Sequence, residues 1–178
     1  MRYFYDTEFI EDGETIDLIS IGVVAEDGRE YYAISTEFNE VNASDWVKTN
    51  VLRYLPSRDI DNGKAPFQKE IWKPRGQIAG DLIHFCNPVL FGKPEFWAYY
   101  ADYDHVALCQ LFGTMMDLPN DWPMYTRDLK QLCDLLGNPD LPKQGKDEHH
   151  ALFDARWNRD TFKFLYELQA KISMDFAL

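Results

Sequence analysis

Ile16-Asp17-Leu18-Ile19-Ser20-Ile21-Gly22-Val23-Val24-Ala25 decides the fold class of this chain. Its β-branched and apolar residues pack well on a pleated surface and give a central strand. Upstream, residues 2–6 form a short aromatic strand, Arg2-Tyr3-Phe4-Tyr5-Asp6. Downstream, Glu26-Asp27-Gly28 reads as a tight turn into a further strand at 30–35, so an antiparallel three-stranded meander opens the chain.

The pattern then changes. Residues 42–74 are mixed, with a short helical pattern at 44–50 and a polar, turn-rich surface loop at 58–65. A helix is expected from Arg75 to about Asn87-Pro88, with Ile78, Leu82 and Ile83 at helical spacing. A strand follows at 95–101, then a helix from Asp104 stopped by Gly113, a brief strand at 124–126, and a helix at 128–136 closed by Gly137. A polar loop at 141–147 leads into a long amphipathic helix from about His150 to Met174, buried through Ala151, Trp157, Phe164, Leu165, Leu168 and Ile172. A meander followed by alternating helices and strands describes an α/β fold: one mixed sheet of about five strands, flanked by helices. A length of 178 residues fits one domain, 1–178.

Composition excludes several classes. Hydrophobic residues make up 46% and aromatic residues 15% of the chain, which rules out a disordered tail or a coiled coil. Cys86, Cys109 and Cys133 lack metal-ligand spacing and read as buried free thiols of a cytoplasmic protein. The N-terminus shows no export signal, and no window approaches the roughly 20 apolar residues that span a bilayer. A formal net charge of −12 weighs against broad electrostatic contact with nucleic acid. The same carboxylates, however, are what a divalent-metal site requires.

Asp6 and Glu8 sit two residues apart on a strand, so both side chains point to one face. Such a pair is costly in apolar surroundings unless a hard cation neutralises it. Taken alone, Asp-x-Glu is ordinarily a strand end followed by a solvated glutamate. His149 and Asp154 are five residues apart and cannot share a helical face, since they would lie about 140° apart. They converge only if His149 precedes the helix and Asp154 points inward from its second turn; the plain alternative is an exposed loop histidine. His150 takes a structural role. Asp104 either caps its helix or faces a cleft at the sheet's end, Asp102 competes with it, and Asp128 reads as a cap.

Together these pieces resemble the DEDDh group of 3'-to-5' exonucleases. Asp6-Thr7-Glu8 matches the first motif, Tyr103-Asp104 with Ala107-Leu108 the second, and His149-His150-Ala151-Leu152-Phe153-Asp154-Ala155 the third. Within the group, the opening run, especially Asp6-Thr7-Glu8-Phe9-Ile10-Glu11-Asp12-Gly13, is most similar to the polyadenylate-specific exoribonucleases of the mycobacterial ribonuclease AS type. The sequence departs at Phe9-Ile10-Glu11, where relatives carry Thr-Gly, and at Tyr100, where an Asn is common. Both departures bear on substrate contacts and not on metal ligands.

The resemblance implies a ribonuclease H-like fold and metal-dependent release of nucleoside 5'-monophosphates from single-stranded RNA with a free 3'-end, with a preference for poly(A). Asp6, Glu8, Asp104 and Asp154 would hold two divalent ions, Mg²⁺ or Mn²⁺, and His149 would be the general base; imidazole ordinarily titrates near pH 6.5, about the working range. Thr7 and Phe9 would contact substrate, Phe9 by stacking on a terminal base if it is not simply core. A homodimer is implied as well. The alternatives are a DNA exonuclease or short-oligoribonucleotide nuclease using the same residues, and a silent nucleic-acid-binding module.

Overall fold

A computed structural model describes residues 1–57 and 70–175. One six-stranded sheet organises them, in the order β4-β3-β2-β1-β5-β6. The strands are β1 (Arg2–Glu11), β2 (Ile16–Ala25), β3 (Glu30–Ser35), β4 (Trp72–Lys73), β5 (Glu95–Ala98) and β6 (Arg127–Asp128). The helices are α1 (Asp45–Asn50), α2 (Arg75–Phe85), α3 (Pro88–Phe91), α4 (Asp102–Gln110), α5 (Leu129–Leu135) and α6 (Ala151–Asp175). β1, β2 and β3 form the expected antiparallel meander, while β4, β5 and β6 add in parallel.

Four expectations are corrected. The sheet has six strands and not five, because β4 is a two-residue strand too short to leave a sequence pattern. The brief strand expected at 124–126 forms instead at Arg127–Asp128. β5 ends at Ala98 and α4 begins at Asp102, so Asp104 lies inside the first turn and does not precede the helix. On α6, Trp157, Phe164, Leu168 and Ile172 are only half-buried, whereas Asn158, Thr161 and Phe162 are buried beside Ala151 and Leu165. The surface loop expected at 58–65 lies outside the described residues.

The two faces of the sheet are covered differently. Tyr3, Tyr5, Ile21 and Val23 pack with Ile78 and Leu82 of α2 and with Ala107 and Leu108 of α4. Phe4 faces the other way and packs on Phe162 of α6, ring centroids 5.1 Å apart. Alternation then carries Asp6 and Glu8 to the face that α6 covers. Gly22, paired with Asp6 in the register, is what lets α6 approach: a Cβ there would lie 2.3 Å from the Ala151 carbonyl oxygen and 2.4 Å from Leu152 Cα. A glycine inside a strand commonly marks such a close backbone approach.

No helix among the described residues is long and apolar enough to cross a membrane.

Candidate active site

β5 pairs with β1 only as far as Phe4, so the edge of β1 beyond it must satisfy its backbone groups elsewhere. The Tyr5 carbonyl accepts a 2.8 Å hydrogen bond from Asn158 Nδ2 of α6. The Thr7 amide donates to Asp104 Oδ1 at 2.7 Å, and the Thr7 hydroxyl donates to the same oxygen at 2.6 Å. Side chains from two helices thus replace a strand at the point where β1 presents Asp6 and Glu8. A register shift between Glu8 and Phe9 adds a bulge there, a device that re-aims side chains beside active sites.

The third group arrives from the start of α6. His149 stands just before the helix with φ 70°, a left-handed conformation uncommon outside glycine. That turn directs its backbone amide to Asp154 Oδ2 at 2.8 Å. Asp154, in the first turn and not the second, receives a further bond on Oδ1 from Gln144 Nε2 at 3.0 Å. Ligand atoms of Glu8, His149 and Asp154 all lie within 4.8 Å of one another. The edge of the His149 imidazole meets the Trp46 ring of α1, centroids 4.8 Å apart. His150 is placed structurally, stacked on Tyr32 at 4.5 Å, and burial lowers its pKa.

Asp6, Glu8, Asp104, His149 and Asp154 line one cleft of about 480 Å³, together with Phe9, Glu11, Tyr99, Tyr100, Glu148 and Trp157. Asp104 and Asp154 are 5% and 8% exposed, and Asp6 and Glu8 are half-buried. No lysine or arginine is among the described lining residues. Burial and then mutual repulsion therefore push the carboxyls up. Asp6 is raised well above the carboxylate range by burial and by Asp104, Glu8 and Asp154. Glu8 is raised to about 8 by burial and by Asp154 and Asp104. Burial lifts Asp104 to about 7 against the opposing hydrogen bonds from Thr7. Asp154 is raised by burial, opposed by the bonds from His149 and Gln144. An all-carboxylate oxygen set beside a histidine suits a hard divalent cation such as Mg²⁺ or Mn²⁺, so the residues present fit the ions expected from the sequence.

The structure thus brings Asp6, Glu8, Asp104, Asp154 and His149 to one cleft. Asp104 is not a cap: Ala101 holds that position without a side-chain bond. Asp102 is exposed, and Asp128 is the cap expected of it, accepting from the Lys130 and Gln131 amides. Thr7 is spent on Asp104 and is 5% exposed, so its hydroxyl anchors a carboxylate. Phe9 is half-buried on the cleft wall, edge-on to Tyr103 at 5.8 Å, which leaves part of its surface open to the cleft. Sequence reasoning missed Gln144, Trp46 and Asn158. The one available signal was Asn158 itself, a polar residue four positions after Asp154 and hence on the same helix face.

Known proteins with similar sequences carry one activity in their names. The chain is 51% identical over 165 residues to 3'-5' exoribonuclease Rv2179c of Mycobacterium tuberculosis strain H37Rv, covering 93% of each chain. The same figures hold for 3'-5' exoribonuclease MT2234.1 of strain CDC 1551. Among solved structures, one described as yeast NOT1 MIF4G domain co-crystallized with CAF1 aligns at TM-score 0.46 and 13% identity, covering 97% of this chain and 80% of that one; a likeness this low carries no argument. A family described as the 3'-5' exoribonuclease Rv2179c-like domain matches residues 1–166, and the chain belongs to that family.

Proposed function

We propose that this exoribonuclease is a metal-dependent enzyme of the DEDDh group with a ribonuclease H-like fold, shortening RNA one nucleoside 5'-monophosphate at a time from the 3'-end. The observation that carries the reading is the convergence of Glu8, His149 and Asp154 within 4.8 Å in a cleft that also holds Asp6 and Asp104 and offers no lysine or arginine among its described lining. Repelling carboxylates in one apolar-walled cleft call for a divalent partner.

Asp6, Glu8, Asp104 and Asp154 would hold the divalent ions. Bound divalent ions supply a clamp on the scissile phosphate, an acidified water and charge stabilisation at the departing 3'-oxygen. His149 accepts the proton of the attacking water on its imidazole. Its ring is held by Trp46, and its backbone is held by Asp154, so base and carboxylate keep one relative position. Asn158 ties the Asp154 face of α6 to the carbonyl preceding Asp6. Phe9 offers a stacking surface to a terminal base.

A preference for adenine-rich tails belongs to the proposal through the resemblance of residues 6–13 to polyadenylate-specific relatives. A homodimer and a cytoplasmic setting belong to it as well. The exposed Val89 and Leu90 offer apolar surface to a second subunit, and the three cysteines are buried and free.

Purified His149→Ala and Asp6→Ala proteins test the assignment. Both should keep the circular-dichroism spectrum of the parent and lose turnover of RNA. Near-normal activity in either folded variant contradicts the mechanism.

A further inference from the structure

A chain of net charge −12 that acts on RNA must still hold phosphates somewhere, and the cations outside ion pairs show where. Of the described lysines and arginines, ten take part in ion pairs with Asp or Glu. Lys48, Arg53, Lys143, Lys146 and Lys171 do not. Lys171 lies near the far end of α6. The other four are exposed and fall on two segments: α1 with the turn after it, and the loop leading to His149.

Those two segments face each other across a second cavity of about 560 Å³, lined by Asn50 and Tyr54 on one side and Lys146 to His150 on the other. It shares Glu148 and His149 with the candidate active-site cleft, so the two adjoin. Its volume is within the range that takes a nucleotide-sized ligand. Tyr54 is 69% exposed, and Trp46 on the same segment is 53% exposed. Exposed aromatic rings beside unpaired cations are the recurring parts of a single-strand track, where bases stack and phosphates meet positive charge. Asp147 and Glu148 line the cavity too, which restricts favourable phosphate positions to Lys146 on one side and, on the other, to Arg53, which borders the cavity with its guanidinium 6.0 Å from the Tyr54 ring centroid.

We propose that this second cavity is the subsite for the nucleotides upstream of the scissile bond, with Tyr54 as a stacking platform and Arg53 and Lys146 as phosphate contacts. The inference rests on the exoribonuclease reading of the neighbouring cleft. It makes affinity depend on strand length, because a dinucleotide fills only the first cleft while a longer RNA enters the second.

The test is fluorescence anisotropy with 5'-labelled A2 and A12 oligoribonucleotides on a His149→Ala background in Mg²⁺, with gel analysis afterwards to show intact ligand. Arg53→Glu and Lys146→Glu should each weaken A12 binding about fivefold and leave A2 within twofold. Each should flatten the slope of log affinity against log salt for A12 by about 0.7, the value of one contact to a single strand. Tyr54→Ala should weaken A12 by about tenfold. Lys171→Glu, which changes net charge equally, should leave A12 unchanged. Unaltered A12 binding in the three groove variants would overturn the proposal, as would equal losses for A2 and A12 or an equal loss with Lys171→Glu. These binding outcomes are read without turnover, so they stand apart from whether the parent protein hydrolyses RNA.

Discussion

Thr7 spends both its backbone amide and its hydroxyl on a single oxygen of Asp104, at 2.7 and 2.6 Å. Thr7→Val removes the hydroxyl bond and keeps the side-chain shape. Loss of a hydrogen bond to a buried carboxylate costs about 1–3 kcal/mol, and Asp104, which that bond lowers, should hold its proton more tightly. Urea denaturation should show the loss, and the Mg²⁺ concentration giving half-maximal activity should rise. Thr7→Ser should restore both.

Gly22→Ala places a methyl group 2.3 Å from the Ala151 carbonyl oxygen, and backbone cannot swing aside as a flexible side chain would. Overpacking of this kind costs about 1–3 kcal/mol or more. The helix start that must move carries His149 and Asp154, so activity at a temperature where the variant is fully folded should fall by about a hundredfold. A variant merely less stable, with normal kcat, would show that the close approach is not needed for the site.

Asp154 receives bonds from Gln144 and from the His149 amide. Gln144→Ala deletes one of them and should raise the metal concentration for half-maximal activity by about tenfold with little change in maximal rate, a size typical of groups that orient a metal ligand. Gln144→Glu replaces the donor with an acceptor and brings a further charge toward the carboxylates. Its activity should be lower than that of Gln144→Ala at every metal concentration.

The raised carboxyls also give stability a pH dependence of definite sign. Folding raises Asp6, Glu8, Asp104 and Asp154 above their ordinary values, so the folded chain binds more protons than the unfolded one. The stabilisation is fully present below about pH 4 and is lost as pH rises through about 7 for Asp104 and about 8 for Glu8. In chelator, these four groups therefore lower Tm between pH 5 and 8. Added Mg²⁺ or Mn²⁺ should raise Tm more at pH 8 than at pH 5. Equal increments at the two pH values would contradict the charge account.

Much of this was legible in the sequence. The run at 16–25 reads as a strand because β-branched residues dominate it, and Asp-x-Glu on a strand necessarily shares a face. The placement of His149 before the helix followed from the mismatch of its spacing with 3.6 residues per turn. What could not be read depends on where β5 stops. That end frees the Tyr5 and Thr7 backbone groups, and Asn158 and Asp104 come from elements distant in sequence to satisfy them. Gln144 lies in a polar loop and Trp46 in a short helix, and nothing local singles them out, because only tertiary packing brings them to Asp154 and His149. Gly22 carried a signal, a glycine among β-branched neighbours, whose meaning required knowing that a helix crosses there.

The most direct test of the central claim is a time course on a 5'-end-labelled, A-tailed RNA, run with Mg²⁺ or Mn²⁺ and with excess chelator. The account predicts a ladder that shortens stepwise from the 3'-end only when metal is present. Equal shortening in chelator would contradict metal dependence, and no shortening by folded protein with either ion would favour a binding module over an enzyme.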